Sequence, residues 1–252
     1  MPSRYFVIVR IVAVALLIMS GAVMAAEVKL LAGEGIAAVI EEIGPRFERA
    51  TGNKLTAQYG LAPNVKRRIE SGEAFDVVIL STGPIDDLLK QGKILDGRTP
   101  IAKAGIGVGV RAGAPKPDVG SIEGFKRAML EAKGISYAPE STSGVHLAKV
   151  FDRLGISEQA RSKAKPQKVS SGMGVISGEA DVAVGLSPQL LSTAGIDFAG
   201  HLPSELQNYL VFTGAVSASS SQRDAAEALI RYLTAPESLA TVKAKGWEPA
   251  GT

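Results

Sequence analysis

The chain has 252 residues, with 28 Lys and Arg against 25 Asp and Glu and no cysteine. Without cysteine there are no disulfides, so packing alone must stabilise the fold. Two of the 28 basic residues, Arg4 and Arg10, and none of the 25 acidic ones fall in the first 25 positions, leaving 26 against 25 beyond them. A balance that even gives no electrostatic reason to expect a nucleic-acid partner. With 46% apolar residues and 28 glycines, the composition suggests a compact α/β protein of one large domain or two small ones.

Arg4 and Arg10 lead into "IVAVALLIM" and then the small residues of "SGAVMAA". That order predicts an export signal cut after Ala25, with Val23 and Ala25 as the small flanking residues. The apolar run is shorter than the ~20 residues of a membrane span, so an anchor is the weaker reading. Release into the periplasm follows, and no cysteine is present to carry a lipid.

"VKLLAG" reads as a strand, and Ile36, Val39, Ile40, Ile43 and Phe47 form one helical stripe after it. Pro45 inside that helix predicts a kink. "TGNKLTAQYG" is a turn and a strand, and "PNVKRRIESGE" is a helix opened by Pro63 and closed by Gly72. "FDVVILS" reads as a strand buried on both faces, with "PIDDLLKQGKI" a helix behind it. Strands alternating with helices predict a parallel sheet.

"IAKAGIGVGVRAGAPKP" breaks the rhythm as a long glycine-spaced strand. A second series follows: strand "GISYAPE", helix "GVHLAKVFDRLGI", strand "KVSS", helix "GMGVISGE" and strand "ADVAVGLS". "YLVFTGAVSAS" is another long strand, and two helices close the chain. The natural assembly is two α/β lobes joined by two crossing strands. Lobe one is expected over 26–105 plus 215–252 and lobe two over 106–214, with hinges at Gly105, Gly107, Gly109 and Gly214.

"GVGVRA" meets a loose dinucleotide pattern, but "GAPKPD" after it cannot open the helix that pattern needs. His146 and His201 are the only histidines, so neither a metal site nor a cofactor is expected. His146 reads as an ordinary helix residue, and Lys66, Arg67 and Arg68 as a solvated helix face. The adjacent carboxylates Glu41–Glu42 and Asp86–Asp87 diverge around their helices and cannot act as a pair. No residue pattern supports catalysis, and no catalytic residue is assigned.

The loops "AGEG", "GLAPN", "ESTSG" and "SSGMG" each join a strand to a helix. In parallel sheets such loops share the carboxyl edge, where ligands bind. Each could simply cap its own helix. Together they nominate Glu34, Gly35, Asn64, Ser81, Ser141, Thr142, Ser143, Ser170, Ser171 and Gly172 as ligand-binding residues.

"VKLLAGEGI", "FERATG", "IESGEAFDVVILS", "AGIGVGVRAGAPKPD", "RLGI", "SGEADVAVG" and "AKGWEPAG" resemble the molybdate-binding-like branch of bacterial periplasmic solute-binding proteins. The resemblance runs from about residue 27 to the C-terminus. It implies the two-lobed type II periplasmic binding fold and a monomer that binds a small anion such as molybdate or tungstate. It also implies delivery of that solute to the membrane permease of an ABC importer.

The chain departs from the family pattern. Molybdate-binding members have a serine near Gly35, a serine-rich loop where "GLAPN" stands, and a tyrosine near Gly185–Leu186. Glu34 sits where an anion would be held, and two like charges about 4 Å apart repel by roughly 4 kcal/mol at an effective dielectric near 20. Glu34 must therefore cap its own helix, carry a proton, or face a different solute. An organic acid is the alternative ligand, with an enzyme using Glu34 as a base and a sensor subunit as the remaining rivals.

Overall fold

A computed structural model of the chain describes residues 25–168 and 170–250. The expected export segment lies outside the described residues apart from Ala25. Strand β1 (Glu27–Gly33) passes through a 3₁₀ turn (Glu34–Ile36) into helix α1 (Ala37–Thr51). Val39, Ile40, Ile43 and Phe47 of the predicted stripe are buried on α1. Pro45 leaves the carbonyl four residues back without its helical partner, yet the helix continues to Thr51. It ends at Gly52, whose φ of 76° is open to glycine at no steric cost.

Strand β2 (Lys54–Gly60), helix α2 (Ala62–Glu70), strand β3 (Val77–Ser81) and helix α3 (Thr82–Lys90) follow as predicted. Strands β2, β1 and β3 are parallel neighbours. Strand β3 is buried along its whole length, which explains its unbroken apolar run. Fully burying residues such as Ile79 and Leu80 contributes about 1.5–3 kcal/mol each.

The long glycine-spaced segment is two strands in two sheets. Strand β4 (Thr99–Ala104) joins the first sheet and β5 (Ile106–Arg111) the second, with Gly105 between them. The second sheet is completed around helices α4 (Ile122–Glu131), α5 (Thr142–Leu154), α6 (Ser157–Ser162), α7 (Gly172–Ile176) and α8 (Ser187–Ser192). Its other strands are β6 (Ile135–Tyr137), β7 (Ala164–Pro166), β8 (Val182–Leu186) and β9 (Ile196–His201). Strand β7 corrects the expectation at "KVSS". Residues 164–166 pair with β6, whereas Ser170 already turns the chain into α7, its carbonyl accepting from Met173 N.

Strand β10 (Leu210–Val216) returns to the first sheet, followed by α9 (Arg223–Thr234), α10 (Pro236–Ala244) and β11 (Glu248–Pro249). The orders are β11-β4-β10-β3-β1-β2 and β7-β6-β8-β5-β9. In each sheet three parallel strands lie beside an antiparallel crossing strand, β10 on β3 and β5 on β8. All of β10 pairs within the first sheet, so the expected boundary at 214/215 cuts a strand, and 210–214 lie with the first sheet.

The crossing is fixed by side chains that act as backbone. Gln207 Oε1 accepts from Ile106 N at 2.8 Å while its Nε2 donates to Ile106 O at 2.9 Å. Ser187 donates to Gly105 O through both its N and its Oγ. Gly107 and Gly109 owe their identity to close approach. A Cβ on Gly107 would lie 2.4 Å from Phe198 Cε2, and one on Gly109 2.7 Å from Ile196 Cγ2. "GVGVRA" is thus a strand that leads into a turn at Gly113, not into a helix.

Candidate functional site

One cavity lies where the two sheets face each other. The first sheet's side brings Gly33–Gly35, Gly60–Ala62 and Ser81, and the second brings Ser141–Ser143, Ser171, Gly185 and Gln189. Helices α2, α3 and α5 and the 3₁₀ turn before α1 all begin at this cavity. Their first turns carry N–H groups without intrahelical partners and the positive ends of the helix dipoles. Leu61, Val184, Leu186, Leu210 and Phe212 add an apolar part to the cavity lining. Trp247 backs Phe212 edge-on, with ring centroids 4.9 Å apart. Among the described residues that line the cavity none is Lys, Arg or His.

The hydroxyls are not equally available. Ser141 caps α5: its Oγ accepts from Gly144 N at 3.0 Å and donates to Ala138 O at 2.7 Å. Ser143 Oγ lies 3.0 Å from Ser141 Oγ. Gly144 has to be glycine, because a Cβ there would lie 1.9 Å from Ala138 O. Ser81 leaves its own helix uncapped and meets Thr142 across the cleft, Oγ to Oγ1, at 2.9 Å. Ser171 Oγ is buried and has no hydrogen-bond partner among the described residues. A buried hydroxyl without a partner is costly, so a group that supplies the missing bond is favoured there.

Glu34 lines the cavity and does not cap its helix, whose N-cap position is Gly33. Burial, and then the charge of Glu41, hold its carboxyl above the ordinary value. Tyr59 on β2 is pushed up to about 12 by burial and by Glu41 and Glu34, so it is neutral at physiological pH. Gly35 is where the two sides touch. A Cβ on it would lie 2.7 Å from Leu186 Cδ1 and 3.1 Å from Phe212 Cζ.

Of the residues named from sequence, Glu34, Gly35, Ser81, Ser141, Thr142, Ser143 and Ser171 line this one cavity. Asn64, Ser170 and Gly172 do not. Helix α2 starts at Ala62, so Asn64 is already its third residue and accepts a bond from Arg67 instead. Ser170 Oγ is buried away from the cavity lining, and Gly172 packs against Thr193 and Ile196. Sequence reasoning missed the apolar lining residues and Gln189. The strand-end "VGL" and the crossing strand carried the signal, but apolar residues in strands read as core.

Other candidates have structural roles. His146 Nε2 lies 2.8 Å from the carbonyl of Leu206, so the ring donates and ties α5 to the second crossing. His201 stacks edge-on against Phe198. Lys66 pairs with Asp87 at 2.9 Å and Arg68 with Glu73, as a solvated helix face would. Among the described residues no group of three or more His, Asp or Glu is placed to hold a metal. No described helix is long and apolar enough to cross a membrane.

Two α/β lobes around an interlobe cleft fed by helix N-termini define a type II periplasmic binding fold. The chain belongs to the family described as bacterial extracellular solute-binding protein, whose model matches residues 28–248. It is 30% identical to a Pseudomonas protein named aconitate isomerase, over 93% of this chain and 94% of that one. The periplasmic molybdate-binding protein of Azotobacter vinelandii superposes with a TM-score of 0.74 at 20% identity, covering 87% of this chain and 98% of that one. The sulfate-binding protein SubI of Mycobacterium tuberculosis does so with a TM-score of 0.70 at 19% identity, covering 90% and 88%.

Proposed function

We propose that this solute-binding protein is exported to the periplasm, holds a small organic acid between its lobes, and presents it to the permease of an ABC importer. The lobes are residues 26–104 with 210–250, and 106–209. The observation that carries this reading is the mixed lining of the cleft. Hydroxyls and helix N-termini share it with the apolar residues Leu61, Val184, Leu186, Leu210 and Phe212. Carboxylate oxygens would meet the first and a carbon skeleton the second. A tetrahedral oxyanion would leave the apolar lining unused and would face the Glu34 carboxyl. The likeness to a protein named aconitate isomerase supports the same ligand class.

A thermal-shift panel tests the reading: molybdate, tungstate and sulfate against succinate, citrate, cis-aconitate and trans-aconitate. A ligand at 100 times its Kd stabilises by ~2.7 kcal/mol, about 5–10 °C for a protein of this size. The reading expects that rise with a carboxylic acid, and a rise with the oxyanions alone would overturn it.

The Pseudomonas relative's name and the raised Glu34 carboxyl favour a second reading, an isomerase. Moving a double bond along three carbons takes a proton from one carbon and returns it to another. One carboxyl of raised pKa can carry that proton both ways. Proton NMR of cis-aconitate with the protein in D₂O tests it. Interconversion that Glu34→Gln abolishes supports the isomerase, and none at high protein concentration removes it.

A further inference from the structure

We propose that Glu34 binds the ligand as half of a carboxyl–carboxylate pair sharing one proton, so that each acid bound draws a proton from solvent. This rests on the organic-acid reading of the cleft. The composition of the cavity lining favours this arrangement. Glu34 lines the cavity, and no Lys, Arg or His among the described lining residues can neutralise a second carboxylate beside it.

The groups around Glu34 do not change this. From α1, Glu41 adds negative charge two helical turns on. From β2, Tyr59 is neutral. The facing lobe offers the hydroxyls of Ser141, Thr142 and Ser143 and the amide of Gln189. An ionised pair in contact would lose on the order of a thousandfold in affinity at an effective dielectric near 20. One proton between two carboxyls removes that loss, since two close carboxylates cannot both ionise cheaply. The proton comes from the buffer, the Glu34–ligand pair keeps it, and release of the acid returns it. Burial and the charge of Glu41, which already raise the Glu34 carboxyl, favour its protonated form.

The test is titration calorimetry with trans-aconitate and with succinate at neutral pH, in buffers of differing ionisation enthalpy. The observed enthalpy should vary with buffer at a slope near one proton per ligand, and affinity should fall about tenfold per pH unit above neutrality. In Glu34→Gln the slope should fall to near zero while binding persists, the amide now donating the bond. Glu131→Gln, at the exposed end of α4 and outside the cavity lining, should keep the slope, which guards against general effects of removing charge. Carboxylic-acid binding with no buffer dependence in the unaltered protein would overturn the proposal and leave the organic-acid reading intact. Failure of both acids to bind would overturn both.

Discussion

The hydroxyl of Ser81 at the start of α3 lies 2.9 Å from that of Thr142 at the start of α5, joining the two lobes across the cleft. With Gly35 against Leu186, this contact holds the lobes together along the cavity. The hydrogen bond stabilises that arrangement of the lobes by ~1 kcal/mol.

Ser81→Ala should accordingly favour separation of the lobes by about fivefold. In small-angle scattering without ligand the variant should show a larger radius of gyration. A radius of gyration equal to that of the unaltered protein would show that this contact does not hold the lobes together.

Ser171→Ala separates binding from stability. Its hydroxyl is buried without a partner among the described residues, so removing it should leave stability without ligand unchanged or slightly higher. Affinity should fall about tenfold, the worth of one net hydrogen bond. A variant destabilised by more than 1 kcal/mol with unaltered affinity would place the hydroxyl in the fold and not in the site.

Glu34 sets a pH dependence whose sign can be worked out. Its carboxyl lies above the ordinary value in the folded protein, through burial first and Glu41 second. Such a group contributes stability that is complete below its unfolded-state pKa and is lost as pH rises through the folded one. Glu34→Gln should therefore melt higher than the parent protein at neutral pH, and the difference should vanish on acidification. Calorimetric melting without ligand, from acid to neutral pH, reads both. A gap that widens as pH falls would contradict this placement of Glu34.

Gly107 tests the crossing. A Cβ there would come within 2.9 Å of Gly200 O as well as meeting the Phe198 ring. Gly107→Ala should cost about 1–3 kcal/mol in chemical denaturation, through overpacking and not through lost flexibility. A cost of a few tenths would show that β9 can shift to make room.

These sites also mark how far the sequence was legible. The α1 stripe from Ile36 to Phe47 and the all-apolar β3 announce themselves, because one buried face and two buried faces leave different periods. Strand β7 does not: "AKP" is an edge strand, largely exposed, with no apolar pattern to read. The hydroxyl loops were legible because Ser and Thr gather at helix starts for a stated chemical reason. Leu186 and Phe212 were not, since an apolar residue lining a cavity looks the same in sequence as one inside a core. Asn64 failed on a matter of two residues, because a helix that starts at Ala62 turns position 64 toward Arg67.

The central claim is that the cleft holds a carbon skeleton and not a bare oxyanion. Titration calorimetry of the purified protein with trans-aconitate, citrate and succinate in parallel with molybdate tests it most directly. The account predicts that one of these acids binds at least about tenfold tighter than molybdate, with the negative heat-capacity change that burial of apolar surface on Leu186 and Phe212 entails. Tight molybdate binding with no measurable heat from the carboxylic acids would contradict it.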